Sequence, residues 1–322
     1  MLYPFKFKPL YKERIWGGRL LEEKMGKKLP AGKTIGESWE LSGVQGDISV
    51  VANGKLKGNN IEELIEVYMG DLVGEKNYEK FGLEFPLLIK LIDAQDALSI
   101  QVHPGDELAM QRHHSYGKTE MWYVVDCEQE AELSLGFNHK VTREEYVKHV
   151  ADGTLADIVA KVKVKPGDAY FIPAGAIHAI GKGILIAEIQ QTSDITYRVF
   201  DWNRIDATGH GRELHTELAV DAINFGSHEE FNITAAPVAN KVITLKQSKY
   251  FTTNVIEVSG RLERDYVKLD SFVVYMVFDG DLAIEWAGGA DTAKKGETVL
   301  IPASIENIKM EGSARLLESY IE

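Results

Sequence analysis

The chain has 322 residues, 44% of them apolar, enough to bury the core of two domains or of one large double body. Its 49 acidic against 36 basic residues leave a formal charge of −13, which argues against nucleic acid or an anionic membrane as the main partner and requires any phosphate ligand to find basic residues concentrated locally. A single cysteine, Cys127, allows no internal disulfide; with no signal-like start and no apolar run of membrane length, the expectation is a soluble cytoplasmic protein.

Residues 1–20 read as an extended arm ending in Trp16-Gly17-Gly18, where Trp16 either plugs the end of the core or brings backbone to a ligand. Ile35 to Ser42 reads as a strand with Glu37 and Trp39 on one face. Asn59 to Tyr68 starts with an asparagine cap and an acidic first turn, which predicts a helix outside the β body. Phe85 to Ala94 is an apolar strand with Lys90 in its middle, and an ammonium there is costly unless it faces a wet cavity or an anion. Leu98 to Pro104 follows directly, which suggests a hairpin or meander, and Gln101 and His103 lie two apart, so on a strand both face the same way.

Sixteen residues separate His103 from Glu120, and this stretch is expected to loop over the mouth of a cavity with His113 and His114 solvated. Glu120 opens an apolar strand that continues to Cys127, which reads as structural. Thr142 to Glu145 has the form of a capping box, and Asp157 to Ala160 suggests a second short helix, so a helical insert is expected over about 137–163. Next comes the stretch on which the chain turns. Gly167 feeds the apolar run Ala169 to Ile172, Pro173 ends it, Gly175 relieves the following turn, and His178 opens the next strand.

Glu188 lies inside an apolar strand and needs a partner. Arg198, in the aromatic segment Tyr197 to Trp202, is suited to clamp a phosphate or an oxyanion, or else to pair with Asp194 or Asp201. Arg212 to Phe225 reads as a helix. The last eighty residues echo the earlier ones. Gly296 to Pro302 repeats the spacing of Gly167 to Pro173, Asn307 falls where His178 falls, and Val273 to Val277 echoes Met121 to Val125. Gln101, His103, Glu120 and His178 together offer two imidazoles, one carboxylate and one amide oxygen, a workable set for one divalent metal.

The spacing Gly167, Pro173, Gly175, His178 is that of the second motif of cupin barrels. Taken with Pro86 to Lys90, Leu98 to Pro104, Gly117 to Met121 and Tyr197 to Trp202, the chain resembles the type I mannose-6-phosphate isomerases in their short bacterial form. The motifs run from about Tyr3 to Trp202; the last hundred residues resemble the family only as architecture, and the sequence flanking Arg198 departs from the longer eukaryotic pattern. The resemblance implies a mainly β fold of two cupin, jelly-roll-like barrels with a helical insert. Residues 1–240 would form the catalytic domain, including that insert and a helix near 212–225, and residues 241–322 a degenerate second barrel. It implies one zinc ion per chain on Gln101, His103, Glu120 and His178, with Arg198 and Lys118 catalytic and Ser99 and Lys90 contacting substrate. Trp16 and Glu188 complete the candidate substrate-binding set.

The implied reaction interconverts mannose 6-phosphate and fructose 6-phosphate through an enediol. A metal would act as Lewis acid and Arg198 would share the oxyanion charge. Lys118 would be either the proton carrier, if burial and the metal favour its uncharged form, or an electrostatic contact to substrate. A non-catalytic sugar-binding or regulatory cupin is the first alternative, and the intact residue set stands against it. A metal-dependent cupin oxygenase is another; those favour histidine-rich iron sites, whereas Gln101 replaces one imidazole here. The expected partner is a small sugar phosphate, and the oligomeric state is left open.

Overall fold

The computed structural model describes residues 2–205, 209–225 and 230–322. The expected mainly β fold is what the chain adopts, as three antiparallel sheets. The first has seven strands in the order Asn232–Ile233, Ala169–Ile172, Glu120–Cys127, Ile184–Gln191, Leu87–Ala94, Ile35–Ser42 and Leu10–Gly18. The second has five, in the order Tyr197–Phe200, Ile100–Val102, His178–Ile180, Glu132–Phe137 and Val159–Lys163. The third, also of seven strands, belongs mostly to the C-terminal part, where Val273–Trp286, Asn307–Tyr320 and Thr252–Asp265 each run 14 residues. Its far edge is Phe5–Lys6, paired with Thr298–Ile301, so the N-terminal strand lies in the C-terminal sheet.

The first sheet is buried on both faces, which explains why Leu87–Ala94 and Ile184–Gln191 are buried throughout rather than alternating. Leu87, Ile89, Leu91, Tyr123 and Ile189 share a core with Val274, Met276 and Leu317 of the third sheet and with Ile61, Leu64 and Ile65. On the opposite face Ile92, Trp122, Ile172 and Ile186 meet Leu133, Leu135 and Ile180 of the second sheet. The first and second sheets are separate ladders, and the polar residues of interest lie between them.

The helix predicted after Asn59 is Ile61–Tyr68, closed by a reciprocal capping box between Asn60 and Glu63. Thr142 and Glu145 make the same box at the start of Arg143–Ala151. The insert then departs from expectation. It continues as a single 3₁₀ turn, Leu155–Ile158, and at Val159 becomes an edge strand, because Val159-Ala160-Lys161-Val162-Lys163 alternates with the period of a strand. The stretch between His103 and Glu120 carries a helix, Asp106–His113, instead of an open loop. The helix near 212–225 is shorter, Thr216–Ala222; before it the chain runs beside strand Tyr197–Phe200, with His215 N–H donating to the Arg198 carbonyl at 2.7 Å. Leu87–Ala94 and Ile100–Val102 do not form a hairpin, since the chain crosses from the first sheet to the second between them.

The internal echo is visible in the ladders. Gly167 N–H donates to Val124 O at 2.8 Å, and Gly296 N–H donates to Val277 O at 2.8 Å. Glu120 pairs with Ile172 and Val273 with Ile301, the residues before the two prolines. Val273–Val277 therefore corresponds to Glu120–Val124, one residue earlier than the sequence spacing suggests, and a valine occupies the glutamate's place. By the same register Glu188, opposite Trp122, corresponds to Glu318, opposite Tyr275.

Candidate active site

The turn before His178 is fixed by backbone constraints. Pro173 ends the strand, and Gly175 follows at φ 90°, where a side chain would be strained. The Gly175 N–H donates to the His103 carbonyl at 2.9 Å, which ties the two histidine-bearing segments together. His178 then lies directly opposite Gln101 in the second sheet, while Glu120 reaches the same place from the first. His103, Glu120 and His178 offer ligand atoms within 4.8 Å of one another, all three buried, the one such His, Cys, Asp or Glu cluster among the described residues.

Each imidazole is oriented from behind. His103 Nδ1 lies 2.9 Å from Ile195 O and His178 Nδ1 2.9 Å from Ala176 O, so Nδ1 is the donor in both and Nε2 keeps its lone pair toward the cluster. Burial, then the Lys118 ammonium, pushes His103 well below the usual imidazole range, and the same two causes bring His178 down to about 4. Both rings are neutral at pH 7, the form that ligates a metal. Burial and the charge of Glu188 raise the Glu120 carboxyl to about 7, against the pull of Lys118. Glu120 Oε1 is buried with no hydrogen-bond partner and lies 3.3 Å from His178 Nε2. An orphaned carboxylate oxygen facing the His178 lone pair, with His103 Nε2 3.5 Å from the other oxygen, is what a divalent cation would satisfy. Gln101 Nε2 lies 3.3 Å from His178 Nε2, and a half-turn of its amide presents oxygen at that position. The residues present therefore fit a metal ion.

A cavity of about 600 Å³ opens beside this cluster, lined by Gln101, Ser99, Lys118, Lys90, Glu188 and Arg198 among others. Lys118 Nζ lies 2.6 Å from Glu120 Oε2 and 2.8 Å from His103 Nε2, so it joins the cluster to the cavity wall. Lys90 and Glu188, directly opposite in their ladder, meet at 3.0 Å, and Trp122 Nε1 donates to the other Glu188 oxygen at 2.8 Å. Burial opposes charge on both, but Lys90 and Lys118 bring Glu188 down to about 2, and Glu188 and Glu37 raise Lys90. Arg198 donates to Glu213 O at 2.9 Å, and its Nε is buried without a partner. Asp201, one of its anticipated partners, is taken by Arg204 and Arg212 instead.

Trp16, Lys90, Ser99, Gln101, Lys118, Glu188 and Arg198 thus line one cavity, with His103, Glu120 and His178 clustered beside it. Trp16 and Ser99 are buried in its wall. His113 lies apart from the cluster, 2.7 Å from the Tyr197 hydroxyl, and His114 caps its helix in the left-handed region at φ 52°. Of the segment between His103 and Glu120, Lys118 alone reaches the cavity wall. Sequence reasoning missed Lys12, Arg14 and Arg212, which also line it. The alternation Lys12, Arg14, Trp16 on one strand face was a usable signal. In the C-terminal sheet the place of Glu188 is filled by Glu318, held by Arg264 at 2.8 and 3.0 Å and by Asn254 at 2.7 Å. Asn307 is exposed there.

No helix among the described residues is long and apolar enough to cross a membrane. A family model of the phosphomannose isomerase type I catalytic domain matches residues 4–142, and one of the mannose-6-phosphate isomerase cupin domain matches residues 241–321. The chain is 37% identical to mannose-6-phosphate isomerase ManA of Bacillus subtilis over 99% of both chains, and 34% identical to the mannose-6-phosphate isomerase of Streptococcus mutans over 96% of this chain and 95% of that one. The crystal structure of a mannose 6-phosphate isomerase from Bacillus subtilis matches with a TM-score of 0.90 at 34% identity, covering 99% of this chain and 100% of that one. A mutant phosphomannose isomerase from Salmonella typhimurium shares the fold, with a TM-score of 0.82 at 15% identity over 99% of this chain and 100% of that one.

Proposed function

The chain belongs to the type I phosphomannose isomerase family, and from that premise we propose that it is a zinc-dependent isomerase interconverting mannose 6-phosphate and fructose 6-phosphate. The observation that carries the reading is the buried His103, Glu120 and His178 cluster, with Gln101 beside it, opening through Lys118 onto a cavity that holds Arg198. Gln101, His103, Glu120 and His178 hold one zinc ion per chain. Bound there, zinc supplies Lewis acidity to a substrate oxygen.

The rest of the work falls to the chain. Trp16, Ile92, Leu98 and Ile180 form apolar wall that limits water around the sugar. Lys90 and Glu188, fixed against each other, present a donor and an acceptor to sugar hydroxyls, with Ser99 alongside. Arg198 lies opposite Gln101 in the ladder and holds the negative charge of the enediol oxygen. Lys118 Nζ, entering as the free amine, takes the proton from one carbon and, as the ammonium so formed, returns it to the next. A coupled assay on mannose 6-phosphate, run on chelated and zinc-reloaded protein, tests the reading. Turnover should disappear with chelator and return with zinc. Full turnover by protein shown to be metal-free, or none by zinc-loaded protein, would refute it.

A further inference from the structure

The cavity collects positive charge in an acidic chain. Lys12, Arg14, Lys90, Lys118, Arg198 and Arg212 line it, against the carboxylates Glu13, Glu37, Asp47, Glu188 and Asp194. The guanidiniums are the notable part. Burial lowers Arg198 from its usual range, and the charges of Arg212, Arg14 and Arg204 lower it further, against Asp201. Arg204 and Arg212 share one carboxylate, Asp201, at 2.6–2.7 Å, and Arg198 has no carboxylate within hydrogen-bond distance among the described residues. Lys12, Arg14, Lys90, Lys118 and Arg212 are each paired to a carboxylate, so a bound anion would meet guanidinium and ammonium edges left over from those pairs together with Arg198.

Arg14 is held for such a task. Its Nε donates to Glu37 Oε1 at 2.8 Å, while Glu37 Oε2 accepts from Trp39 Nε1 at 2.6 Å. Glu37 is buried and further held ionised by Lys90. Gly36 makes room: a Cβ there would lie 2.5 Å from the Trp16 ring and 2.7 Å from Arg14 Cβ. Nη1 of Arg14 reaches the Glu13 carbonyl at 3.3 Å, and Nη2 has no protein partner among the described residues. The side chain is thus fixed at Nε with a free edge in the cavity wall, the arrangement in which a guanidinium recognises a phosphate.

We infer that Arg14, oriented by Glu37, contacts the phosphate of the substrate and sets the preference for phosphorylated over free sugar. This rests on the isomerase reading above. Inorganic phosphate binding, measured by calorimetry on the zinc-loaded protein, tests the contact without turnover. Arg14→Ala should weaken phosphate about tenfold or more, and Arg14→Lys, which keeps charge but loses the fork, should recover only part. Glu37→Gln, acting through Arg14, should weaken phosphate less than Arg14→Ala and add little to it in the double variant. In kinetics, Arg14→Ala should raise the KM for mannose 6-phosphate by a similar factor with kcat within a few-fold. Phosphate affinity in Arg14→Ala equal to the parent's would overturn the inference. If phosphate weakens as expected but no isomerase turnover exists with zinc, the contact stands and the proposed reaction falls.

Discussion

The Lys90–Glu188 pair gives the most direct physical test of how the cavity wall is held. Glu188→Leu removes the acceptor of both Lys90 Nζ and Trp122 Nε1, and leaves an ammonium that is only 6% exposed. Breaking a buried pair from one side costs about 3–5 kcal/mol, because the remaining charge is left uncompensated. Glu37 also attracts Lys90, and cavity water can reach its end, so the lower figure, ~3 kcal/mol, applies here. At about 2.1 cal/mol/K per residue a chain of 322 residues shifts ~1.5 °C per kcal/mol, so the melting temperature should fall by ~4–5 °C. Lys90→Met together with Glu188→Leu removes both charges and should recover most of that loss. Calorimetric melting of the parent, both single variants and the double variant, at pH 7 and fixed zinc, completes the cycle. The reasoning is refuted if Glu188→Leu melts within ~2 °C of the parent, or if the double variant is no more stable than Glu188→Leu. All three variants should lose activity, since both side chains face the sugar.

His178→Ala should abolish tight zinc binding and turnover together while leaving the β circular-dichroism signature intact; normal zinc content with full activity would remove His178 from the ligand set. Arg198→Ala should lower kcat by roughly a hundredfold, as for loss of one oxyanion donor, with zinc content unchanged; a rise in KM alone would make it a ground-state phosphate contact. Elemental analysis should find one tightly bound zinc per chain, because Val273 and Asn307 stand where Glu120 and His178 stand, and a second metal that survives His178→Ala would contradict this. Burial raises the Asp93 carboxyl to about 6, against the Leu20 and Leu21 N–H groups that hydrogen-bond it. Its folded value lies above the unfolded one, so its stabilising contribution is full below about pH 4 and is lost as pH rises through about 6. Asp93→Asn should therefore flatten the dependence of melting temperature on pH between about 4 and 7; the same slope in variant and parent would contradict this.

The metal cluster was readable because the constraint is local. Gly167, Pro173 and Gly175 are required by the turn itself, and the turn delivers His178. Glu188 was equally readable as a residue in need of a partner, since a carboxylate in an apolar strand is costly without one. The identity of that partner was not, because Lys90 meets Glu188 through a ladder between residues 98 positions apart. The supposed hairpin of Leu87–Ala94 with Ile100–Val102 failed for the same reason: alternation fixes which face a side chain takes, not which strand lies alongside. Arg212 was absorbed into a helix because Arg-Glu-Leu-His suits a helical turn, whereas the bonds between His215 and Arg198, from Arg198 to the Glu213 carbonyl and from Arg212 to Asp201 hold that stretch beside the strand instead. Arg14 was legible as a strand residue, but its meaning depended on Glu37, which reaches it from the neighbouring strand.

The pairing of Phe5–Lys6 with Thr298–Ile301 has a consequence for biosynthesis. The segment that follows Lys6 leads within a few residues to Lys12, Arg14 and Trp16, three side chains of the cavity wall. During translation Phe5–Lys6 emerges long before its edge partner. The nascent chain can assemble the ladders that carry His103, Glu120 and His178 well before then, while the start of the arm is held by residues 50–53 and Phe5–Lys6 still lacks its strand partner. Closure of this longest loop is slow relative to local pairing. A chain stalled before residue 298 should therefore hold the metal cluster and the cavity wall carried by Leu10–Gly18, which pairs with Ile35–Ser42, while Phe5–Lys6 alone waits for its strand partner.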